Sequence, residues 1–262
     1  MNLEAVRELF DTEMRREATA DHPGVTLERV GDVVRRTSRT DDWNGVLWTG
    51  LTEATADAAI AEQVRHFRAH GLDFEWKHYA HDRPQDLGRR LLAAGFVADE
   101  PEALMVAETA SLPTEPVLPE GVRLVRVTDR SGVDLMVRAH ESAFGGDARK
   151  LGEEVLAQLT AAPDTVEVVV AMAGDEPVSA ARAEFPPGTQ FASLWGGGTA
   201  PEWRGRGVYR ALVAHRTRLA VERGYRYLQV DALDTSRPIL QRLGFARLST
   251  TTPYNFVVSQ RH

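Results

Sequence analysis

The chain has 262 residues, of which 43% are apolar and 26% charged, with a net charge of −7 and no cysteine. This is the composition of a folded, water-soluble protein; it excludes disulfides, thiolate metal sites and a cysteine nucleophile, and the acidic balance argues against a nucleic-acid partner while mildly favouring cationic substrates. No apolar run approaches the roughly 20 residues of a membrane span, and the opening MNLEAVRELFDTEMRREA is amphipathic without a signal-peptide core, so the expectation is a cytoplasmic protein with no membrane partner.

Residues 2–20 read as a helix, because Leu3, Val6, Leu9, Phe10 and Met14 recur on one face. Two strands, 25–30 and 33–37, form a hairpin turning at Gly31-Asp32, and 46–51 is a further short strand. A helix from about 54 to 70 ends at Gly71; a strand at 74–79, a short helix at 87–94 and a strand at 104–107 follow. SLPTEPVLPEG (111–121) has a linker composition, so the expected division is a first domain at 1–110, a linker at 111–120 and a second domain at 121–262. The second part reads as a strand at 122–127, helices near 131–143 and 150–161, and strands at 165–173 and 177–185 around a Gly174-Asp175 turn. Then come a strand at 191–195, a helix from Val208 to Gly224, a strand at 227–230, a short helix at 236–243, and strands near 245–250 and 254–259. This order predicts an α+β fold with helices packed on a sheet.

WGGGTAPEWRGRGVYRAL (195–212) joins a strand, a glycine-rich turn and a helix start. Unpaired N–H groups and the positive end of the helix dipole converge there on one point, which makes an anion cradle. Gly205 and Gly207 admit a close phosphate, and Arg204 and Arg206 add forked donors. A nucleoside triphosphate loop would end in Gly-Lys-Ser/Thr, and a dinucleotide fingerprint needs G-x-G-x-x-G; this loop continues Gly-Val-Tyr-Arg-Ala.

The stretch resembles the acetyl-CoA loop of the GNAT (GCN5-related) N-acetyltransferases, Arg/Gln-x-x-Gly-x-Gly/Ala. Arg204 and Gly207 match it, and Tyr209 stands where the family usually has its last small residue. RPILQRLGFARL (237–248) is similar to the family's last motif, a short helix ending in Leu-Gly-Phe, and the element order over roughly 120–262 is that of the family. LGRRLLAAGFV (87–97) is similar again, preceded like the later segment by a glycine-capped helix and a strand. The resemblance therefore implies two GNAT-like domains, each a twisted, mostly antiparallel sheet with helices on both faces. The first is a degenerate copy whose strand 46–51 runs into LTEATADAAI with no phosphate loop. It is a structural element or one wall of the substrate cleft.

For the second domain the resemblance implies an N-acetyltransferase that moves the acetyl group of acetyl-CoA to a primary amine of a small molecule, by direct attack in a ternary complex. Backbone groups of Arg206, Gly207, Val208 and Tyr209 would hold the pyrophosphate, and a donor near Gly198 or Thr199 would stabilise the oxyanion. A base must take the amine's proton; Glu184 on the strand before the glycine strand and Glu141 on the first helix are the candidates. Leu240 stands where the family often has a proton-donating tyrosine, which leaves Tyr254, Tyr209 or Ser236 as substitutes, or no acid at all; Ser236 also reads as a helix cap. His66, His70, His78 and His81 lie near one another in the sequence, but without cysteine or H-E-x-x-H no metal is expected. Either the first copy or a partner subunit of a homodimer would close the cleft. A non-catalytic acyl-CoA-binding sensor or interaction protein is the alternative that these residues also suit.

Overall fold

A computed structural model describes residues 1–20, 24–38 and 43–258. In chain order the elements are α1 (Leu3–Phe10) with a π-helical extension (Asp11–Arg16), β1 (Val25–Val30), β2 (Val33–Ser38), β3 (Gly45–Thr49), α2 (Ala56–His70), β4 (Phe74–Tyr79), α3 (Leu87–Ala93), β5 (Val97–Ala98) and β6 (Glu102–Glu108). They continue with β7 (Val122–Arg126), α4 (Arg130–Phe144), α5 (Arg149–Ala161), β8 (Val166–Ala173), β9 (Glu176–Glu184), β10 (Phe191–Thr199), α6 (Val208–Glu222), β11 (Tyr227–Ala232), α7 (Arg237–Arg242) and β12 (Ala246–Phe256). The fold is α+β, with mostly antiparallel strand pairing. The periodicity of the sequence locates nearly every element to within a few residues. The strands expected near 245–250 and 254–259 are one strand, β12; Pro253 stays in the ladder opposite Lys77 and uses its carbonyl to accept the Asp99 N–H at 2.9 Å.

The chain forms two compact units, one of 1–105, 231–239 and 247–262, the other of 106–230 and 240–246. The proline-rich stretch 111–120 lies inside the second unit, and the chain passes from one unit to the other within β6. The C-terminal strand belongs to the first unit because residues 251–256 of β12 pair antiparallel with β4.

In the first unit β1, β2 and β3 pair antiparallel, and β3 pairs parallel with β4 at Gly45–Glu75 and Val46–Trp76 only. α2 lies between these two strands in sequence. Its buried stripe of Ala56, Ile60, Val64 and Phe67 packs with Trp76, Leu87, Leu91, Phe96 and Phe256 into the unit's core. Phe67 and Phe74 stack at 4.1 Å, and each fully buried large side chain of this cluster contributes roughly 1.5–3 kcal/mol relative to exposure.

The same unit buries an ionic network. Arg15, 2% exposed, donates to both oxygens of Asp82 at 2.8 and 2.9 Å, to Asp11 at 2.6 Å and to the Leu47 carbonyl at 3.0 Å, with its guanidinium 3.8 Å from the Tyr79 ring centroid. His81 bridges Asp11 and Ser249, at 2.8 Å to each. Burial pushes the Asp11 carboxyl up, but the His81 hydrogen bond and the Arg15 charge outweigh it and hold the carboxyl below its ordinary value.

In the second unit β7, β8 and β9 pair antiparallel, β9 pairs antiparallel with β10, and β10 pairs parallel with β11. Alternation along β8 and β9 feeds two cores. Val166, Val168, Val170 and Ala180 pack with Val133, Met136 and Val155 from α4 and α5, while Val169, Ala171, Val178 and Ala181 pack with Val208 and Leu212 of α6. α4 and α5 therefore cover one face of this sheet and α6 the other.

Asp82→Ala should destabilise the protein by about 3 kcal/mol in urea denaturation, because it removes the bidentate partner of a buried guanidinium and leaves it only the Asp11 carboxylate. Asp11→Asn should cost stability near neutral pH, where the carboxylate's depressed folded value contributes in full. That contribution fades as pH falls below the unfolded value of about 3.9 and through the lower folded one. Urea midpoints of wild type and Asp11→Asn should therefore converge in acid.

Candidate active site in the second unit

β10 is the element on which the site is built. Its pairing with β11 runs from Phe191–Tyr227 to Ser193–Gln229, yet β10 continues to Thr199, so its outer half loses its parallel neighbour. Against β9 the ladder holds at Trp195–Arg182, slips, and resumes at Gly198–Ala180, leaving Gly196 and Gly197 in a bulge. The strand expected to stop at Trp195 thus carries on through its glycines; Gly196 supplies a left-handed φ of +58°, and Gly197 and Gly198 are needed for close packing. A Cβ on Gly197 would stand 2.9 Å from Cε2 of Tyr209 on the α6 side; a Cβ on Gly198 would stand 2.3 Å from Cε2 of Phe144 and 2.8 Å from Cβ of Ala143 on the α4 side. The small residue that the loop lacks at 209 is supplied instead across the contact, at Gly197.

The carbonyls of this strand end are occupied. Ser179 Oγ donates to the Gly198 carbonyl at 2.5 Å and lies 2.9 Å from the Thr199 hydroxyl. Arg204 donates from Nε to the Thr199 carbonyl at 3.1 Å and from Nη2 to the Ala143 carbonyl at 2.9 Å. The Arg204 side chain thus braces the loop against β10 and the end of α4. Arg206 lies over the Trp203 ring at 4.8 Å, exposed beside the loop.

α6 begins at Gly207, whose φ of +90° lies in the left-handed region, and no side chain caps the helix among the described residues. The N–H groups of its first turn are therefore left for an outside acceptor. No atom lies within 4 Å of where a Cβ on Gly205 or Gly207 would sit, so a ligand can approach the backbone there. The residues fit a pyrophosphate. At the start of α2 in the first unit, the Thr52 N–H donates to Thr55 Oγ1 at 3.0 Å and the first helical N–H, that of Ala56, to the Thr52 carbonyl at 3.0 Å.

The carboxyl and hydroxyl candidates for proton transfer have different surroundings. Glu184 stands opposite Ser193 on β10 and opposite Val166, on the face covered by α4 and α5; it is half-buried, 3.4 Å from both Arg182 Nε and Gln158 Nε2. Glu141 accepts the Ala148 N–H at 3.0 Å and so closes the α4–α5 turn. Tyr254 belongs to the first unit, opposite Trp76, with its hydroxyl against Gly88 and its ring edge-on to His78. Ser236 is also in the first unit, where its hydroxyl donates to the Leu233 carbonyl at 3.1 Å. Gly198, Thr199 and Arg204 to Tyr209 come together in the second unit. Leu240 is fully buried. Among the described residues no cluster of three or more His, Cys, Asp or Glu could hold a metal ion, and no helix is long and apolar enough to cross a membrane.

Sequence reasoning did not find Ser179, the Ser193–Gln229 pair or Arg216. Gln229 Nε2 donates to Ser193 Oγ at 2.6 Å at the last paired register before β10 loses its neighbour, and Gln229 Oε1 is buried without a hydrogen-bond partner. Arg216 had a signal, since Val208, Leu212, Arg216 and Ala220 form the buried stripe of α6 at a spacing of four and only one of them is charged.

Residues 134–245 match the acetyltransferase (GNAT) family. Among solved structures the chain is similar to a GCN5-related N-acetyltransferase from Kribbella flavida, with a TM-score of 0.71, 18% identity, and coverage of 97% of this chain and 95% of that one. It is similar also to a tandem GNAT protein from the clavulanic acid biosynthesis pathway, with a TM-score of 0.60, 13% identity and coverage of 100% and 89%. A third such structure is a GCN5-related N-acetyltransferase from Sphaerobacter thermophilus, at 0.60, 13% and coverage of 90% and 84%. At these identities the likeness is one of fold. No curated protein matches the chain by sequence.

The Gly197–Tyr209 contact should be measurable as a coupling. Gly197→Ala should destabilise the wild type by about 1–3 kcal/mol through overpacking, and clearly less in a Tyr209→Ala background. Chemical denaturation of the four proteins of the cycle tests this; equal costs in both backgrounds would mean that the ring is not what holds position 197 to glycine.

Proposed function

Because residues 134–245 match the acetyltransferase (GNAT) family, we propose that the second unit transfers the acetyl group of acetyl-CoA to a primary amine of a small molecule. The observation that carries this reading is the uncapped start of α6, with Gly207 in the left-handed region and open space above Gly205 and Gly207. Backbone N–H groups of Arg206, Gly207, Val208 and Tyr209 hold the pyrophosphate, and the helix dipole adds to the attraction. The unpaired half of β10 takes the pantetheine arm and the thioester, with N–H groups around Gly198 and Thr199 facing the carbonyl oxygen.

The amine nitrogen forms the C–N bond with its lone pair as the carbonyl pair moves onto oxygen. Collapse of that adduct breaks the C–S bond, the amine's proton leaves through Glu184 or a water it holds, and the departing sulfur takes a proton from solvent. Of the expected bases, Glu184 has the supporting position, beside Ser193 and the end of the β10–β11 pairing; Glu141 is occupied by its turn. Gln229 Oε1 offers the acceptor a hydrogen-bond position. The first unit, whose parallel pair β3–β4 flanks α2 in sequence, is a degenerate copy of the same plan.

Calorimetric titration should give micromolar binding of acetyl-CoA to wild type and none to Gly207→Trp, whose ring fills the cradle. A thiol-release assay across polyamines, amino acids and aminoglycoside-like amines should then find an acceptor. With it, Glu184→Gln should lower kcat about 10²–10⁴-fold while leaving acetyl-CoA affinity unchanged. Absence of binding to wild type would overturn the transferase reading.

A further inference from the structure

Arg216 is 1% exposed, and among the described residues it makes no salt bridge. Its Nε donates to the Leu212 carbonyl at 3.0 Å and its Nη1 to the Arg182 carbonyl at 3.1 Å, both backbone groups. Arg182 is the β9 residue opposite Trp195, the last regular pair before the bulge. Nη2 points at the bulge itself: a Cβ on Gly197 would lie 3.6 Å from it. The Tyr209 ring packs on the same glycine, and burial raises the phenol's pKa, so it stays neutral and offers no counter-charge. Burial pulls the guanidinium down to about 10, which leaves it cationic at neutral pH.

A buried cation without a counter-charge is costly to keep, and replacement by an apolar side chain of similar volume is often neutral or stabilising. The stripe of α6 would accept Leu or Met at this position as well as it accepts Leu212. The carbonyl contacts explain how the charge is tolerated; they do not explain why a full positive charge sits behind the one interruption in the β9–β10 ladder.

We infer that Arg216 is a positioning residue whose charge acts through the bulge of β10: it stands behind Gly196 and Gly197, which leave the ladder, and polarises the thioester carbonyl presented to that strand. This rests on the transferase reading above. Negative charge develops on the carbonyl oxygen only while the tetrahedral adduct exists, so a cation fixed behind the donors favours the transition state over bound acetyl-CoA. The charge is shielded from water, which preserves its reach.

Arg216→Lys, Arg216→Gln and wild type separate the possibilities. Lys keeps the charge and loses the fork; Gln ends where Nε stands, so it keeps an N–H for the Leu212 carbonyl and loses the charge. All three should bind acetyl-CoA with Kd values within a few-fold. Arg216→Gln should lower kcat by at least about 30-fold, against much less for Arg216→Lys. Infrared difference spectra of ¹³C-carbonyl acetyl-CoA give a readout without turnover: a downshifted carbonyl stretch on wild type and Arg216→Lys, largely lost on Arg216→Gln. Equal impairment of Lys and Gln, or an unchanged carbonyl stretch in a folded Arg216→Gln, would overturn the inference. Failure of wild type to bind acetyl-CoA would instead sink the transferase reading itself.

Discussion

The second unit is governed by the packing of helices on both faces of β10 at adjacent residues. Phe144 and Ala143 of α4 press on Gly198 from one side, and Tyr209 of α6 presses on Gly197 from the other. A side chain at either position would displace a helix, so the strand has to be glycine there, and a strand with consecutive glycines holds its ladder poorly. The bulge is the result. It turns the end of β10 away from regular pairing just where its other edge has lost β11. A strand end that is bulged on one edge and open on the other is where the two helices approach it most closely.

Both units repeat one plan, a strand, a helix and a second strand parallel to the first, with the parallel pairing ending after a few residues. They diverge at the helix start. In the first unit the turn before α2 is tied by the Thr52 N–H to Thr55 Oγ1 and by the Ala56 N–H to the Thr52 carbonyl. In the second unit the turn before α6 holds left-handed Gly207; among the described residues no side chain caps either helix. The buried polar groups of the first unit form the Arg15–Asp82–Asp11–His81 network, which ties the π-helical turn to the end of β4 and to β12.

Periodicity made most of the fold legible, because burial on one face dictates which residues recur. The apolar stripe of α2 and the alternation of β8 and β9 are visible without coordinates. The cradle was legible as well, since glycine at 205 and 207 before a helical run has few other uses. Non-local pairing was not. That β12 completes the first unit's ladder depends on which edge is free, and no local pattern encodes it. For the same reason the sequence does not show that Tyr254 and Ser236 fall in the first unit. Glu141 was indistinguishable from Glu184 in the sequence, because accepting the Ala148 amide depends on a turn closing seven residues later. Tyr209 looked like a departure from the loop pattern only while its partner glycine, twelve positions earlier, was unknown.

The hydrogen bonds around the strand end have a direction. Ser179 and Arg204 donate to its carbonyls, Arg216 donates to the Arg182 carbonyl beside the bulge, and nothing capping α6 accepts from its first turn. Acceptors are satisfied from within, whereas donors are left exposed. An environment with surplus donors and a buried cation is poorly matched to water, which supplies both kinds of group equally, and well matched to a ligand made of acceptors. Phosphate oxygens and a thioester carbonyl are such groups. The preference for an anionic, carbonyl-bearing ligand that we propose for this site thus rests on how the protein satisfies its own backbone.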